Sequence, residues 1–219
     1  SKQTYTTTLQ MLGRSDPQIR RSALQALEAF PPKMRMKKTF ELLKDPVKIV
    51  RMEAARQLSA FPLGEVDKKT KESLEKAFDE YEKILLFIAE RPESQLSLGV
   101  FYTNRKMPEK AQKAYEEALR LQPQFVPAYI NYSDFLTQQG KNKEAFDILQ
   151  KGLTNVPGIG ILHHALGLWH VRNKESAKAI PELKKAAQLD QNNARFTYVY
   201  AISLGAEDPK KAIEILEEA

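Results

Sequence analysis

The sequence predicts an all-α solenoid of stacked helix–turn–helix repeats, and three observations carry that prediction. Over residues 92–219 a pattern recurs every 34 residues: Ala111, Ala145 and Ala179 share one position, Tyr115, Leu149 and Leu183 a second, and Ala118, Gly152 and Ala186 a third. Over residues 1–65 another pattern recurs every 31 residues. Between them, residues 66–90 carry one apolar stripe at helical spacing. Periods of roughly 20–50 residues mark arrays in which each unit buries its apolar face against the next.

In chain order, the first pattern places Leu12, Ile19, Arg20, Ala23, Leu27, Phe30 and Pro31 opposite Leu43, Val50, Arg51, Ala54, Leu58, Phe61 and Pro62. Each copy has an Asp-Pro pair in its turn, Asp16-Pro17 and Asp45-Pro46, with the second shifted by two places. Asp-Pro suits a helix N-cap followed by the first turn, where the missing amide hydrogen has no partner to lose. Ile19, Ala23, Leu27 and Phe30 then line one helix face. In residues 66–90, Leu74, Phe78, Tyr81, Leu85 and Ile88 alternate by three and four, the signature of an amphipathic helix. It is expected to act as an adaptor, its stripe covering the end of the following array.

From residue 92 onward, the small residues Gly99, Ser133 and Gly167 sit one period apart, where paired helices must approach closely. Pro123 and Pro157 close two units. A fourth unit begins near Ala194 and loses one residue in its turn before Ala212, Leu216 and Ala219. The expected partition is 1–65, 66–91 and 92–219.

Composition sets further bounds. At 219 residues and 42% hydrophobic content, the chain has ample material for a continuous core. The longest apolar run, residues 84–89, is too short to span a bilayer. With no cysteine, disulfides, zinc–thiolate sites and covalent haem attachment are excluded within this chain, and no cofactor is expected in it. The net charge of +6 is uneven: 12 of the 34 Lys/Arg and 6 of the 28 Asp/Glu precede residue 67, leaving 22 of each beyond it.

The 34-residue units resemble tetratricopeptide repeats (TPRs). Leu98-Gly99, Tyr102, Ala111, Tyr115, Ala118 and Pro123 carry the resemblance in the first unit, and Tyr129, Tyr132, Leu136, Ala145, Leu149, Gly152 and Pro157 in the second. Leu166-Gly167, Ala179, Leu183 and Ala186 carry it in the third. The 31-residue units resemble HEAT repeats, most clearly over residues 45–58. Together these resemblances imply a right-handed superhelix. In HEAT-like units the arginine at the position of Arg20 and Arg51 usually joins a ladder with turn aspartates, so these two are expected to be structural. Lys33, Arg35, Lys37 and Lys38 form a basic patch that the repeat does not demand. It supports an alternative reading, binding of a nucleic acid or an acidic partner. The lack of interleaved aromatic residues disfavours nucleic acid.

Catalytic signatures are absent: there is no GxSxG, no HExxH and no P-loop lysine pattern. No enzyme activity is expected. Gly158-Ile159-Gly160 follows the helix stop at Pro157 and reads as a turn between units. His163 and His170, seven residues apart, could share a helix face and a metal. They occupy bulky packing positions and lack a third ligand, so packing is preferred and no metal is expected. Trp169 reads as a residue at a repeat junction.

The TPR resemblance also implies a concave groove lined by the first helix of each unit. Its lining would be Leu96, Val100 and Asn104, then Ile130, Asn131, Asp134 and Gln138, then His164, Leu168 and Arg172, and finally Tyr198. Asn131 matches the asparagine with which many TPR grooves hold a ligand's main chain. The lysines and arginine that clamp a terminal carboxylate are replaced by Leu96, Ile161 and Ala165, which rejects that ligand class. What remains suits an apolar peptide or amphipathic helix from a partner protein. The alternatives are another part of the same polypeptide or a second copy of the chain.

The whole arrangement, ending in Asn193-Ala194-Arg195-Phe196-Thr197-Tyr198-Val199-Tyr200-Ala201, is similar to the C-terminal region of some bacterial multihaem cytochrome c proteins. That resemblance implies a docking region of an exported electron-transfer protein and a periplasmic location. Without it, a cytoplasmic adaptor is expected.

Overall fold

The computed structural model describes residues 2–61 and 66–217. Pro62 and Ala219, which the repeat patterns include, lie outside the described residues. Helices follow one another throughout: α1 (Lys2–Met11), α2 (Pro17–Ala26), α3 (Pro32–Glu41), α4 (Lys48–Leu58), α5 (Lys68–Phe87), α6 (Pro92–Asn104) and α7 (Pro108–Leu121). They continue as α8 (Val126–Gln138), α9 (Asn142–Asn155), α10 (Gly160–Arg172), α11 (Ser176–Leu189), α12 (Ala194–Leu204) and α13 (Pro209–Glu217). No strand occurs among the described residues, and the protein is an all-α solenoid of repeats. The chain forms two compact units, Ser1–Ala114 and Tyr115–Ala219, with the boundary inside α7.

In the N-terminal unit, consecutive helices are tied by arginines. Arg20 of α2 is buried and donates from Nε and Nη2 to both carboxylate oxygens of Asp45, at 2.7 and 2.8 Å. Its Nη1 donates to the Arg14 and Ser15 carbonyls. Arg51 of α4 repeats the arrangement, with Nη1 on the Asp45 and Pro46 carbonyls and the other two nitrogens on Glu80 of α5 at 3.0 and 2.6 Å. The expected ladder is therefore present, and α5 supplies its last carboxylate. Burial pulls the Asp45 carboxyl upward, but the bonds from Arg20 and the Val47 amide outweigh it and hold the group below the ordinary carboxylate range.

Three expectations need correction here. Asp16 does cap α2, accepting from the Gln18 amide at 2.7 Å with Pro17 behind it. Asp45 does not cap α4, whose N-cap is Val47, because the two-residue shift puts the carboxylate on the Val47 amide and on Arg20 rather than on the amides of the first turn. The buried face of α2 is Arg20, Ala23, Leu24 and Leu27, while Ile19 is 40% exposed. Anchoring the Arg20 guanidinium turns that face by about one position. The adaptor helix is shorter than residues 66–90, since Asp67 caps its start through the Thr70 amide and Ile88 leaves helical geometry.

Helix α5 has neighbours on both sides in sequence. It packs on α4 and on α6, and its Phe78 and Tyr81 rings meet Phe101 of α6 at 5.9 and 5.5 Å. Glu82 accepts from the Tyr102 hydroxyl at 2.7 Å, which joins α5 to α6 by a polar contact as well.

The 34-residue register is kept to the residue. Helices α6, α8 and α10 begin at 92, 126 and 160 and end at 104, 138 and 172, while α7, α9 and α11 begin at 108, 142 and 176 and end at 121, 155 and 189. Each turn inside a unit bends through one left-handed residue: Lys106 (φ 56°), Gly140 (φ 75°) and Lys174 (φ 60°), again 34 apart. The amide that follows donates back to the carbonyl of Tyr102, Leu136 or His170, at 2.9 Å in all three. Such a turn satisfies carbonyls that the helix end would leave unpaired. In the fourth unit α12 stops at Leu204 and Gly205 is right-handed, which accounts for the shortened turn before the buried Ala212.

At the small position of the third unit, a Cβ added to Gly167 would lie 2.6 Å from Leu183 Cγ, and Leu183 is fully buried. Ser133 fills the equivalent place and donates to the Ala145 carbonyl at 3.0 Å. Gly167→Ala is therefore expected to lower stability by about 1–3 kcal/mol through overpacking. Lys174→Gly relieves a strained lysine and is expected to raise stability by about 0.5–1 kcal/mol, the left-handed penalty less the entropic cost of glycine. Urea denaturation followed by circular dichroism measures both, and the two variants should move the midpoint in opposite directions.

Candidate functional site

In the C-terminal unit, α8, α10 and α12 together frame a cleft of about 370 Å³. Five of the residues expected in the groove line it: Ile130 and Asp134 from α8, and His164, Leu168 and Arg172 from α10. The last three follow one another by four positions, so one helix face carries them all. Ile161 and Ala165 join them, and Asn193, Arg195 and Phe196 from the start of α12 close the other side.

His164 stands out in this cleft. It is 6% exposed, its ring stacks on Phe196 with centroids 4.5 Å apart, and neither ring nitrogen has a hydrogen-bond partner among the described residues. Burial, then the nearby Arg195 charge, hold its pKa below the ordinary value of 6.5. An imidazole without a partner in an apolar wall is costly to maintain, and a group supplied from outside would relieve that cost. At the rim, Arg172 donates to Asp134 at 3.2 Å, a half-exposed ion pair that contributes little to stability.

The other expected groove residues lie elsewhere. Leu96, Val100 and Asn104 are half-buried on α6 in the N-terminal unit, where the Asn104 amide donates to the Ser59 hydroxyl at 2.7 Å. Asn131 turns its amide back onto the Pro127 carbonyl of its own helix. Gln138 is exposed at the end of α8, and Tyr198, 57% exposed, stands on α12 with the similarly exposed Ile202 one turn on. The sequence reading missed Arg195 and Phe196 as cleft residues, although both fall in the stretch it singled out. Tyr198 and Ile202 continue the register of His164 and Leu168 but stand exposed, whereas Arg195 and Phe196, one period after Ile161 and Leu162, line the cleft.

In the basic patch, Lys33 and Lys37 are exposed on α3, Arg35 is half-buried, and Lys38 is paired with Glu41 at 2.7 Å. Other N-terminal cations are also engaged. Arg56 bonds to Glu28 and to the buried Glu53, and Arg20 and Arg51 form the ladder. The two remaining histidines each have a carboxylate: Nδ1 of His163 donates to Glu182, and Nδ1 of His170 to Glu175, both at 2.6 Å. They point to different partners, as the packing reading requires. Trp169 sits at the junction of α9 and α10, its ring 5.0 Å from Phe146.

Comparisons with known proteins agree with this architecture. A HEAT-repeat family model matches residues 6–87, and a tetratricopeptide-repeat model matches residues 92–125. The protein is thus a repeat protein that joins HEAT-like to TPR-like units. Among solved structures, it is similar in fold to TTC0263, a thermophilic TPR protein of Thermus thermophilus, with TM-score 0.56, 12% identity, and 93% of this chain and 98% of that one covered. It is also similar to PilF of Pseudomonas aeruginosa (TM-score 0.52, 20% identity, 78% and 77% covered) and to MamA (TM-score 0.52, 20% identity, 68% and 88% covered). No curated protein matches it significantly in sequence.

The His164 environment has a pH consequence. Its folded-state pKa is depressed, so below about 6.5 the unfolded chain binds a proton that the folded chain resists. The stability held by neutral His164 is complete above that value and is lost as pH falls below it. Between pH 7.5 and 5.0, wild type should therefore lose more thermal stability than His164→Leu. Parallel melting curves at the two pH values measure the difference.

Proposed function

We propose that the protein is a non-catalytic interaction scaffold that holds an apolar peptide segment of a partner protein in the cleft between α8, α10 and α12. The observation that carries this reading is the lining itself. Ile130, Ile161, Leu168 and Phe196 give an open apolar floor, Asp134, Arg172, Asn193 and Arg195 give a polar border, and His164 lacks a partner. Apolar side chains of a bound segment would be buried between them, and its polar groups would meet the border, the usual division of labour in an interface. The exposed Tyr198 and Ile202 extend the apolar surface along α12.

Docking within an exported, periplasmic electron-transfer protein is a narrower form of the same proposal. It rests on the multihaem sequence resemblance alone. The alternative, an acidic partner bound by the N-terminal patch, rests on Lys33 and Lys37, since Lys38 is already paired.

Peptides selected from a random library on the immobilised protein provide the test. They should be rich in apolar residues, and Leu168→Glu should weaken their binding by at least about tenfold, equivalent to roughly 1.4 kcal/mol. Fluorescence anisotropy measures the affinity, and circular dichroism should show an unchanged helix content. Equal binding by wild type and Leu168→Glu would overturn the assignment of the cleft.

A further inference from the structure

A second cavity in the C-terminal unit, about 580 Å³, is formed by α9, α10 and α11 and shares no residue with the cleft. Three of its walls are aromatic: Phe146, Trp169 and His170, with centroids 5.0, 5.2 and 5.8 Å apart. The rings are inclined to one another by 47°, 82° and 68°, so they make a corner rather than a parallel stack. Two carboxylates, Glu175 and Glu182, line the same cavity.

The polar groups here are unevenly matched. Glu182 uses one oxygen for His163, and no bond to its other oxygen is present among the described residues. Glu175 takes His170 on one oxygen and Lys178 on the other, the latter at 3.0 Å with the lysine side chain 65% exposed. Pro181, inside α11, also lines the cavity; having no amide hydrogen, it leaves the Ala177 carbonyl without its helical donor. The cavity thus holds two carboxylates and one lysine, and the buried Trp169 Nε1 has no hydrogen-bond partner among the described residues. Aromatic faces beside carboxylates are the environment that attracts an organic cation.

We infer that this corner is a binding site for a guanidinium group, presented by an arginine side chain. A guanidinium is planar, so it can lie against Trp169 or Phe146. Its fork of N–H donors fits the unfilled oxygen of Glu182. Lys178 is the internal competitor: its exposed ion pair with Glu175 is weak and yields to a better-fitting cation. The site is independent of the peptide cleft, and either can hold without the other.

Trp169 is the only tryptophan in the chain, so its fluorescence reports on this cavity alone. The full chain is titrated with N-acetyl-arginine amide at constant ionic strength, with N-acetyl-citrulline amide and tetramethylammonium as controls. A saturable change is expected with the arginine compound and none with the uncharged citrulline. Glu182→Gln should weaken binding at least about fivefold, whereas Lys178→Ala, which removes the competitor, should tighten it about two- to fivefold. A flat arginine titration would overturn the site, as would citrulline binding equally well or Lys178→Ala weakening the complex. Tighter binding of tetramethylammonium would overturn the guanidinium assignment. Circular dichroism on each variant separates loss of the site from loss of the fold.

Discussion

The C-terminal unit depends on how closely the two helices of a repeat can approach. At Gly167 there is no room for a methyl group against Leu183, and at Ser133 the side chain is just large enough to reach the Ala145 carbonyl. That approach sets the helix separation, and the left-handed turn residue sets the angle at which the chain returns. With both fixed, α8 and α10 begin and end at the same points of the period. Side chains four positions apart then fall on the same face in each unit. Ile130 and Asp134 line up with His164 and Leu168 for this reason, being their counterparts one period earlier.

The N-terminal unit solves the same stacking problem with charge. Its first four helices, α1 to α4, have only 10 or 11 residues, α2 and α3 each running into a turn of 3-10 helix, and apolar packing alone fixes their register less firmly. Arg20 and Arg51 supply the missing specification: each anchors the turn before its own helix through one nitrogen and reaches the next repeat through two others. A forked donor with fixed geometry does this better than a lysine, whose charge has no orientation. Glu53 adds a second layer. It is buried yet held below the ordinary range: desolvation pushes it upward, but bonds from Arg56, Gln57 and Gln25 outweigh that push. Arg20, Arg51 and Arg56 are therefore structural, which a count of basic residues does not reveal.

What the sequence made legible follows from which forces are local. The 34-residue period foretold helix boundaries because small residues and turn positions recur whatever the surroundings. The adaptor helix was legible from its stripe, and Arg20 from its place in the motif. The direction of α2's buried face was not, because the ion pair with Asp45, 25 residues away, outweighs the local apolar pattern that would have turned Ile19 inward. Two of the three left-handed turn residues are lysines, so the usual glycine signal was present only at Gly140. Asn131 has the register position of a ligand-holding asparagine, and in this structure its amide bonds within its own helix, a local contact that the register does not show. In the cleft, Arg195 takes the place that Ile161 holds one period earlier, and Phe196 that of the buried Leu162, so neither carries the pattern of a groove residue.

Helix α10 carries this last point furthest. Its sequence, from Gly160 to Arg172, has no continuous polar face, and a helix apolar on most sides is normally buried throughout. Its three histidines are all buried, yet they meet different surroundings. His163 and His170 each donate to a carboxylate, whereas His164 faces a phenylalanine and an arginine. A stacking helix with only structural duties has no reason to leave one imidazole without a partner while its neighbour is satisfied, since a leucine would fill that place at less cost. Trp169, on another face, likewise keeps an indole N–H unmatched. Both residues also line cavities, His164 the cleft and Trp169 the aromatic corner, so α10 borders both openings while it holds the stack together.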